Sequence, residues 1–358
     1  MTVLVANAVL ILLYSVVFRS NKKIVVGLGA LQIFMVLALR ADTYGTDAVY
    51  YMNGYALIST FSWNDLLESL STNPFSTAHL VWPYSFENGW VVLNWVVSRL
   101  GLDYHLFVII TSAITAICFG RFSYRYSESP GLTLFVISCM NFLLYSFFIL
   151  RQTMALCICL EAIPFILKRK PLPFCLTIFF ACCFHRSAIL FAVLYPLAGL
   201  ELKRNTFPKA VGVFFIVLFL SMFVFPAVLP AVLSFFWKAH LELNFEWNNL
   251  ILLQLLIVVG CCFFDTAKIG SESRKNNLLL WALLASLISY APMLNNEVLA
   301  RSNEYLWIFV APLIPLMINR IQGHARVLVT MLLVVLLMGF LVYQVEGSVF
   351  DPYVSCLS

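Results

Sequence analysis

The sequence predicts an all-α integral membrane protein with about twelve transmembrane helices, and three observations support this prediction. Hydrophobic residues make up 62% of the 358 residues and charged residues only 11%, against roughly a quarter charged in soluble domains. Apolar runs long enough to cross a bilayer, about 17–25 residues each, recur from end to end. The basic residues form short clusters between these runs, which is typical of loops at a cytoplasmic face and argues against a nucleic-acid partner.

The spans are predicted to form a single polytopic membrane domain, residues 1–358, with both termini outside. They are residues 3–18, 24–39, 104–120, 131–150, 153–167, 172–184, 187–199, 210–236, 249–264, 278–292, 304–319 and 327–343. The six cytoplasmic loops of this path hold sixteen of the 22 Lys and Arg residues. Twelve acids lie outside and four lie inside. Glu161 falls within a helix, where we expect a packing role, the alternative being that it pairs with a buried polar group.

Residues 40–103 form a long predicted periplasmic segment between the second and third spans. It opens with the polar stretch RADTYGTDAVYYMNGY and includes a short amphipathic helix predicted at 46–59. A polar loop is predicted at 73–89, and a re-entrant or interfacial helix at 89–100. Tyr50 and Tyr51 belong either to an interfacial aromatic belt or to a surface that stacks on sugar rings.

Four arginines fall on the outer side, where positive charge is scarce: Arg40, Arg151, Arg186 and Arg301. Arg186 lies in a short turn between predicted spans of thirteen residues, each about 20 Å long against a hydrocarbon core of about 30 Å. The turn should therefore lie below the outer surface, where a charge needs a water-filled cavity or a partner. We infer an outward-open cavity lined by arginine, the alternative being that each arginine snorkels to lipid headgroups.

His185 precedes Arg186 in the same turn, and it is interpreted either as a general base or phosphate donor or as a structural histidine. The cysteines fall mostly in apolar runs and are interpreted as small apolar residues. Cys182, Cys183 and His185 provide too few ligands for a zinc site. No carboxylate pair argues for a metal, so we predict no metal and no other cofactor.

Several short motifs occur in a characteristic order along the chain. They are R-x4-GTD-x2-YY from Arg40, EN-G-x3-LN-x4-RLG from Glu87, RQ-x2-A from Arg151, FHRSA from Phe184, and a closing Pro352-Tyr353. In this order they resemble the EpsG-like family, which belongs among the Wzy-type polysaccharide polymerases and includes O-antigen polymerases. The resemblance extends over nearly the full length of the chain.

The resemblance implies a GT-C-like polytopic glycosyltransferase of the bacterial inner membrane with its active site facing the periplasm. Such an enzyme transfers a growing glycan from undecaprenyl pyrophosphate onto another lipid-linked repeat unit. Its partners would be these lipid-linked oligosaccharides and membrane lipid, with a chain-length regulator protein as a further candidate.

The same resemblance suggests roles for individual residues. Arg151 and Arg186 would hold pyrophosphate, and Arg40 and Arg301 would close the site. The general base would be Asp47 or His185, with Glu304 as an alternative carboxylate or as the orienting partner of Arg301, and Glu87, Gln152, Tyr50 and Tyr51 would bind substrate.

Three other classes of membrane protein compete with this interpretation. A transporter predicts internal pseudo-symmetry and paired polar residues at mid-membrane, and the sequence shows neither. A lipid-linked oligosaccharide flippase requires a cationic cavity that reaches both faces, whereas the outer arginines gather at one face. An O-antigen ligase would use the same arginine chemistry, but with a larger late periplasmic loop than residues 237–248 provide.

Overall fold

The computed structural model describes residues 1–71, 86–224, 249–294, 296 and 300–357. The regular secondary structure of these residues is helical, and β-pairing among them is limited to an isolated antiparallel bridge between Arg40 and Ser355. Residues 73–85 of the predicted polar loop and the predicted outer loop at 237–248 lie outside the described residues. The long apolar stretches form helices because each backbone N–H and C=O finds its partner inside the same segment, as a bilayer requires.

Nineteen α-helices are assigned within the described residues. In chain order they are α1 Thr2–Val17, α2 Lys22–Ala38, α3 Ala48–Ser59, α4 Trp63–Ser71, α5 Asn88–Arg99, α6 Tyr104–Tyr126, α7 Pro130–Cys139, α8 Asn141–Phe148, α9 Leu150–Glu161, α10 Ile163–Leu167, α11 Pro171–Cys182, α12 Leu194–Leu197, α13 Thr206–Phe223, α14 Asn249–Cys261, α15 Thr266–Glu272, α16 Arg274–Met293, α17 Glu304–Trp307, α18 Val310–Ile318 and α19 Gly323–Val345. A 3₁₀ helix, Arg186–Val193, precedes α12.

The chain divides into two compact units. The first comprises residues 1–163, 172–189 and 314–358, and the second comprises 164–171 and 190–313. The predicted organisation as a single polytopic domain stays a prediction.

The first unit is built around α2, which packs against α1, α6 and α7. Ile33 and Leu37 of α2, Phe119 of α6 and Leu134 of α7 are all buried. Between helices in lipid, close packing rather than water exclusion provides the attraction, because lipid tails are as apolar as leucine. This packing fixes the positions from which the polar segments leave the bundle.

The C-terminal tail returns to the end of α2 in this first unit. The backbone N–H of Ala41 donates to Val354 O at 2.9 Å, and that of Cys356 donates to Leu39 O at 2.9 Å. The Tyr353 hydroxyl donates to Val36 O at 2.9 Å. The closing Pro-Tyr motif therefore anchors the tail beside Arg40.

The second unit is centred on α16, which packs against α12, α13, α14, α15 and α17. Polar groups on this helix are paired inside the unit: Asn303 Nδ2 donates to Ser286 Oγ at 3.0 Å, and the Ser289 hydroxyl donates to Asn303 Oδ1 at 3.2 Å. These bonds tie α16 to the start of α17.

Within the described residues, five helices are long and apolar enough to cross a membrane, or seven if each of two bent helix pairs is one span. The chain is thus a multi-pass membrane protein, while the total of twelve spans and the GT-C-like architecture stay predictions. The predicted span 131–150 is broken into α7 and α8, bent by 58°, because Met140 adopts an extended backbone between them. The predicted span 187–199 is a 3₁₀ helix followed by one turn of α-helix.

Candidate active site

A buried carboxylate, Glu87, lies at the centre of a charged cluster in the first unit. Its Oε2 lies 2.5 Å from Arg151 Nη1, and its Oε1 lies 3.2 Å from His185 Nδ1. The backbone N–H of Arg186 donates to Oε1 at 3.5 Å. Glu87 is only 5% exposed, so one carboxylate joins a cation and an imidazole that are far apart in sequence.

Local chain geometry explains how Glu87 reaches both partners. Glu87 is the N-cap of α5, but its side chain makes no capping bond to that helix. The next turn is fixed by the backbone N–H of Gly89, which donates to Cys183 O at 2.8 Å. A Cβ on residue 89 would lie 2.7 Å from that oxygen, so the close approach requires glycine. The Glu87 carboxylate is thereby held against the turn that carries His185.

Two aromatic rings pack against the guanidinium of Arg151. The guanidinium carbon lies 5.2 Å from the ring centroid of Phe86 and 5.9 Å from that of Tyr51. Tyr51 is stacked on Phe86, with centroids 6.0 Å apart, and is buried. Tyr50 meets Phe86 edge-on at 5.2 Å and is half-buried. The Tyr51 ring therefore packs beneath the arginine, and Tyr50 is the more accessible of the pair.

The cluster keeps Glu87 ionised. Burial alone would raise the pKa of this carboxyl, but contact with His185 and the positive charge of Arg151 overcome that effect and lower the pKa to about 2. The carboxylate thus faces Nδ1 of His185 at neutral pH. The 3.2 Å contact is within ion-pair distance, although Nδ1 makes no hydrogen bond to the described residues in this geometry. When Nδ1 carries the proton, Nε2 presents a lone pair, which is the arrangement a general base needs.

Arg186 presents a second positive charge next to His185. Its side chain is exposed, and it forms no ion pair with any acid in the described part of the chain. Arg151 and Arg186 therefore differ: one is paired with a buried carboxylate and the other is available to an anionic ligand.

Three further predicted site residues, Arg40, Asp47 and Gln152, also lie in the first unit. Arg40 is 2% exposed; its Nη1 donates to Ser146 O at 3.2 Å and its guanidinium lies over Phe147 at 5.6 Å. Asp47 is the half-buried N-cap of α3 and makes no capping bond. Gln152 follows Arg151 in α9 and is buried. The closing role of Arg40 stays a prediction, although the geometry shows it holding α8 in place.

Arg301 and Glu304 belong to the second unit. Glu304 is buried at the start of α17, one helical turn after the half-buried Arg301. Their predicted roles as a further cation and an alternative carboxylate stay predictions.

Two pairings were not anticipated from the sequence. His105 Nδ1 lies 2.8 Å from Asp42 Oδ1 at the start of α6, and no local pattern links these residues. For Glu161 the structure shows neither the predicted packing role nor a buried polar partner. Glu161 ends α9, is 43% exposed, and pairs with Arg121 at 3.0 Å and Arg125 at 3.4 Å. These two arginines lie one helical turn apart on α6, and that spacing was the available signal.

The described residues contain no group of three or more His, Cys, Asp or Glu side chains that could hold a metal. All ten cysteines are free thiols. That the reaction needs no metal stays a prediction.

Fold and site together define a multi-pass membrane protein that gathers arginine and histidine around one buried carboxylate. The family model described as EpsG family matches residues 23–355, nearly the whole chain, and the chain belongs to this family. It is accordingly a polysaccharide polymerase-type membrane protein, glycosyltransferase-like at the coarse level. Comparison with curated proteins and with solved structures finds no match.

Proposed function

We propose that this protein is a Wzy-type polymerase of the bacterial inner membrane. It transfers a glycan from undecaprenyl pyrophosphate onto another lipid-linked repeat unit at the periplasmic face, without a metal or other cofactor. The observation that carries the proposal is the Glu87 carboxylate, which lies 2.5 Å from Arg151 and 3.2 Å from His185 with Arg186 exposed beside them. This arrangement places a candidate base next to cations suited to a pyrophosphate leaving group.

Stabilisation of the pyrophosphate leaving group is assigned to Arg151 and Arg186. A hydroxyl oxygen of the acceptor sugar forms a bond to the anomeric carbon of the donor, and the bond from that carbon to the pyrophosphate oxygen breaks. The electron pair of the broken bond leaves on the lipid pyrophosphate. Arg186 contacts this developing charge directly, and Arg151 contributes its positive charge from the cluster around Glu87.

His185 is assigned as the base that takes the proton of the acceptor hydroxyl. Its Nε2 takes the proton as the new glycosidic bond forms, and Glu87 stabilises the imidazolium through Nδ1. After the pyrophosphate leaves, the proton passes to solvent and the site returns to its starting state. Glu87 is in this scheme a positioning residue rather than a substrate ligand, because it is buried between two protein partners.

The remaining predicted residues complete the proposal as alternatives. Asp47 and Glu304 are the other candidate bases, and Arg301 and Arg40 are further candidates for the pyrophosphate. Accessible aromatic rings such as Tyr50 provide faces for sugar stacking.

Lipopolysaccharide banding in a strain that lacks this protein tests the proposal. We expect loss of the long-chain ladder with a single core-plus-one-unit band retained, and restoration by the wild-type chain but not by His185→Ala at equal protein level. Loss of every repeat unit would instead indicate a flippase or a ligase, and an unchanged ladder would exclude a role in polymerisation.

A further inference from the structure

A second charged feature lies in the unit formed by residues 164–171 and 190–313. It is a cavity of about 490 Å³, within the range of about 300–1,000 Å³ typical of small-ligand sites. Two arginines, Arg169 and Arg274, line it together with one acid, Glu201. None of its lining residues belongs to the candidate active site, and the loops that carry them are those predicted to be cytoplasmic.

The backbone of Arg169 adopts a conformation that is unfavourable for an arginine. Its φ is +52°, the sole positive φ at a non-glycine position in the described part of the chain. The residue ends α10 in a Schellman cap, in which Lys170 N donates to Phe165 O at 2.9 Å and Arg169 N donates to Ile166 O at 3.1 Å. Glycine usually occupies this position because it has no Cβ to clash. An arginine here costs conformational free energy, and this cost is consistent with a functional role for its guanidinium.

The cavity is shaped around that guanidinium. Arg169 Nη1 donates to Tyr195 O at 2.6 Å, and the group lies over the Tyr195 ring at 5.6 Å. A Cβ on Gly199 would lie 2.3 Å from Arg169 Nη2, so a larger residue at 199 would displace the guanidinium from its present position. Arg274 Nη1 donates to Leu167 O at 3.0 Å.

Within the described residues, Arg169 and Arg274 each use only some of their guanidinium N–H donors. Each gives one N–H to a backbone carbonyl, and neither forms an ion pair with an acid in the described residues, although Glu201 lines the same cavity. Because a guanidinium has five N–H donors, two such groups present several unused donors to one space. Two positive charges against one negative charge favour an anionic ligand.

The wall formed by residues 198–200 is held in place by hydrogen bonds from α16. Asn277 Nδ2 donates to Ala198 O at 3.3 Å and to Leu200 O at 3.0 Å. Trp281 Nε1 also donates to Leu200 O, at 2.9 Å. A preformed wall reduces the ordering cost of binding.

We propose that this cavity binds a phosphate-bearing anion through Arg169 and Arg274. The planar fork of arginine matches phosphate oxygens in pairs, which distinguishes it from lysine at such sites. A phospholipid headgroup and a soluble phosphate offer the same chemistry, and the two are separated by experiment.

The informative variant is Arg169→Gly, because glycine suits the positive φ of the cap and removes only the guanidinium. Gly199→Ala is a second variant that places a methyl group where the guanidinium lies. The matched control is Arg204→Ala, which removes an exposed arginine that does not line the cavity.

Two measurements on the full chain in nanodiscs distinguish the sources. Native mass spectrometry counts phosphatidylglycerol retained from mixed discs, and thermal unfolding in phosphatidylcholine discs is titrated with inorganic phosphate. We expect Arg169→Gly and Gly199→Ala to weaken binding in one of the two measurements by about tenfold or more, while Arg204→Ala binds like wild type. Retained phosphatidylglycerol supports a lipid headgroup, and stabilisation by phosphate supports a soluble ligand. The proposal is overturned if Arg169→Gly binds both probes like wild type, or if Arg204→Ala loses as much.

Discussion

Replacing Glu87 with glutamine separates the charge of this residue from its size. The ordinary pKa of 4.5 is lowered to about 2 in the folded protein, which corresponds to about 3 kcal/mol in favour of the charged carboxylate. Glutamine fills the same space but leaves Arg151, whose side chain is 18% exposed, without its counter-charge. We therefore expect Glu87→Gln to lower the free energy of unfolding by about 3 kcal/mol, as when one partner of a buried pair is removed.

The effect of Glu87→Gln on activity should exceed its effect on folding. Without the carboxylate, His185 loses the group that orients its Nδ1 and stabilises the imidazolium, so polymer formed per folded molecule should fall by about 100-fold or more. Protein level and thermal unfolding in detergent separate the two effects.

A matched control exists in the same chain, since Glu161 also pairs with arginine but is 43% exposed. Glu161→Gln should change stability by about 1 kcal/mol or less and leave the ladder intact. A normal ladder from Glu87→Gln, or equal damage from both variants, would refute the reasoning.

Further predictions concern the backbone contact, the cations and pH. Gly89→Ala should abolish polymer while leaving helix content unchanged, because its Cβ would lie 2.7 Å from a backbone carbonyl; Gly27→Ala, with open space around it, should behave like wild type in the same ladder assay. Arg151→Lys keeps the charge but loses the planar fork, so polymer per folded molecule should fall by about tenfold or more; a wild-type rate would show that charge alone suffices. Arg40→Ala should mainly lower the midpoint of thermal unfolding, because Arg40 bonds a buried carbonyl; unchanged stability with lost activity would instead favour a pyrophosphate contact. The stabilising effect of Glu87 should be complete above about pH 4.5 and disappear as pH falls towards about 2, because its folded-state pKa is depressed; unfolding of Glu87→Gln should lack this component.

Hydropathy and charge predicted much of the helical framework. The ends of α1 and α2 lie within two residues of the predicted spans 3–18 and 24–39, because long apolar runs between charges leave little choice of boundary. The break at Met140 was missed, since both sides of it are equally apolar. Glu161 lies within the span Leu150–Leu167, as predicted, at the junction of α9 and α10.

The sequence predicted the residues of the charged cluster around Glu87 but not the contacts between them. Arg151, His185 and Glu87 were each identified, yet they are 34 to 98 residues apart, and no spacing rule brings them to one point. What joins them is the backbone contact of Gly89 with Cys183, a tertiary feature with no local signal. Glu87 contacts both Arg151 and His185 in the structure, while its predicted role as a substrate ligand stays a prediction.

The most direct test is polymerisation by the purified chain in liposomes, with an undecaprenyl-pyrophosphate-linked repeat unit as the sole sugar source. Each new glycosidic bond should release one lipid pyrophosphate, and His185→Ala and Glu87→Gln should slow both products together by about 100-fold or more. Polymer formed without release of lipid pyrophosphate, or an undiminished rate from folded His185→Ala, would contradict the account.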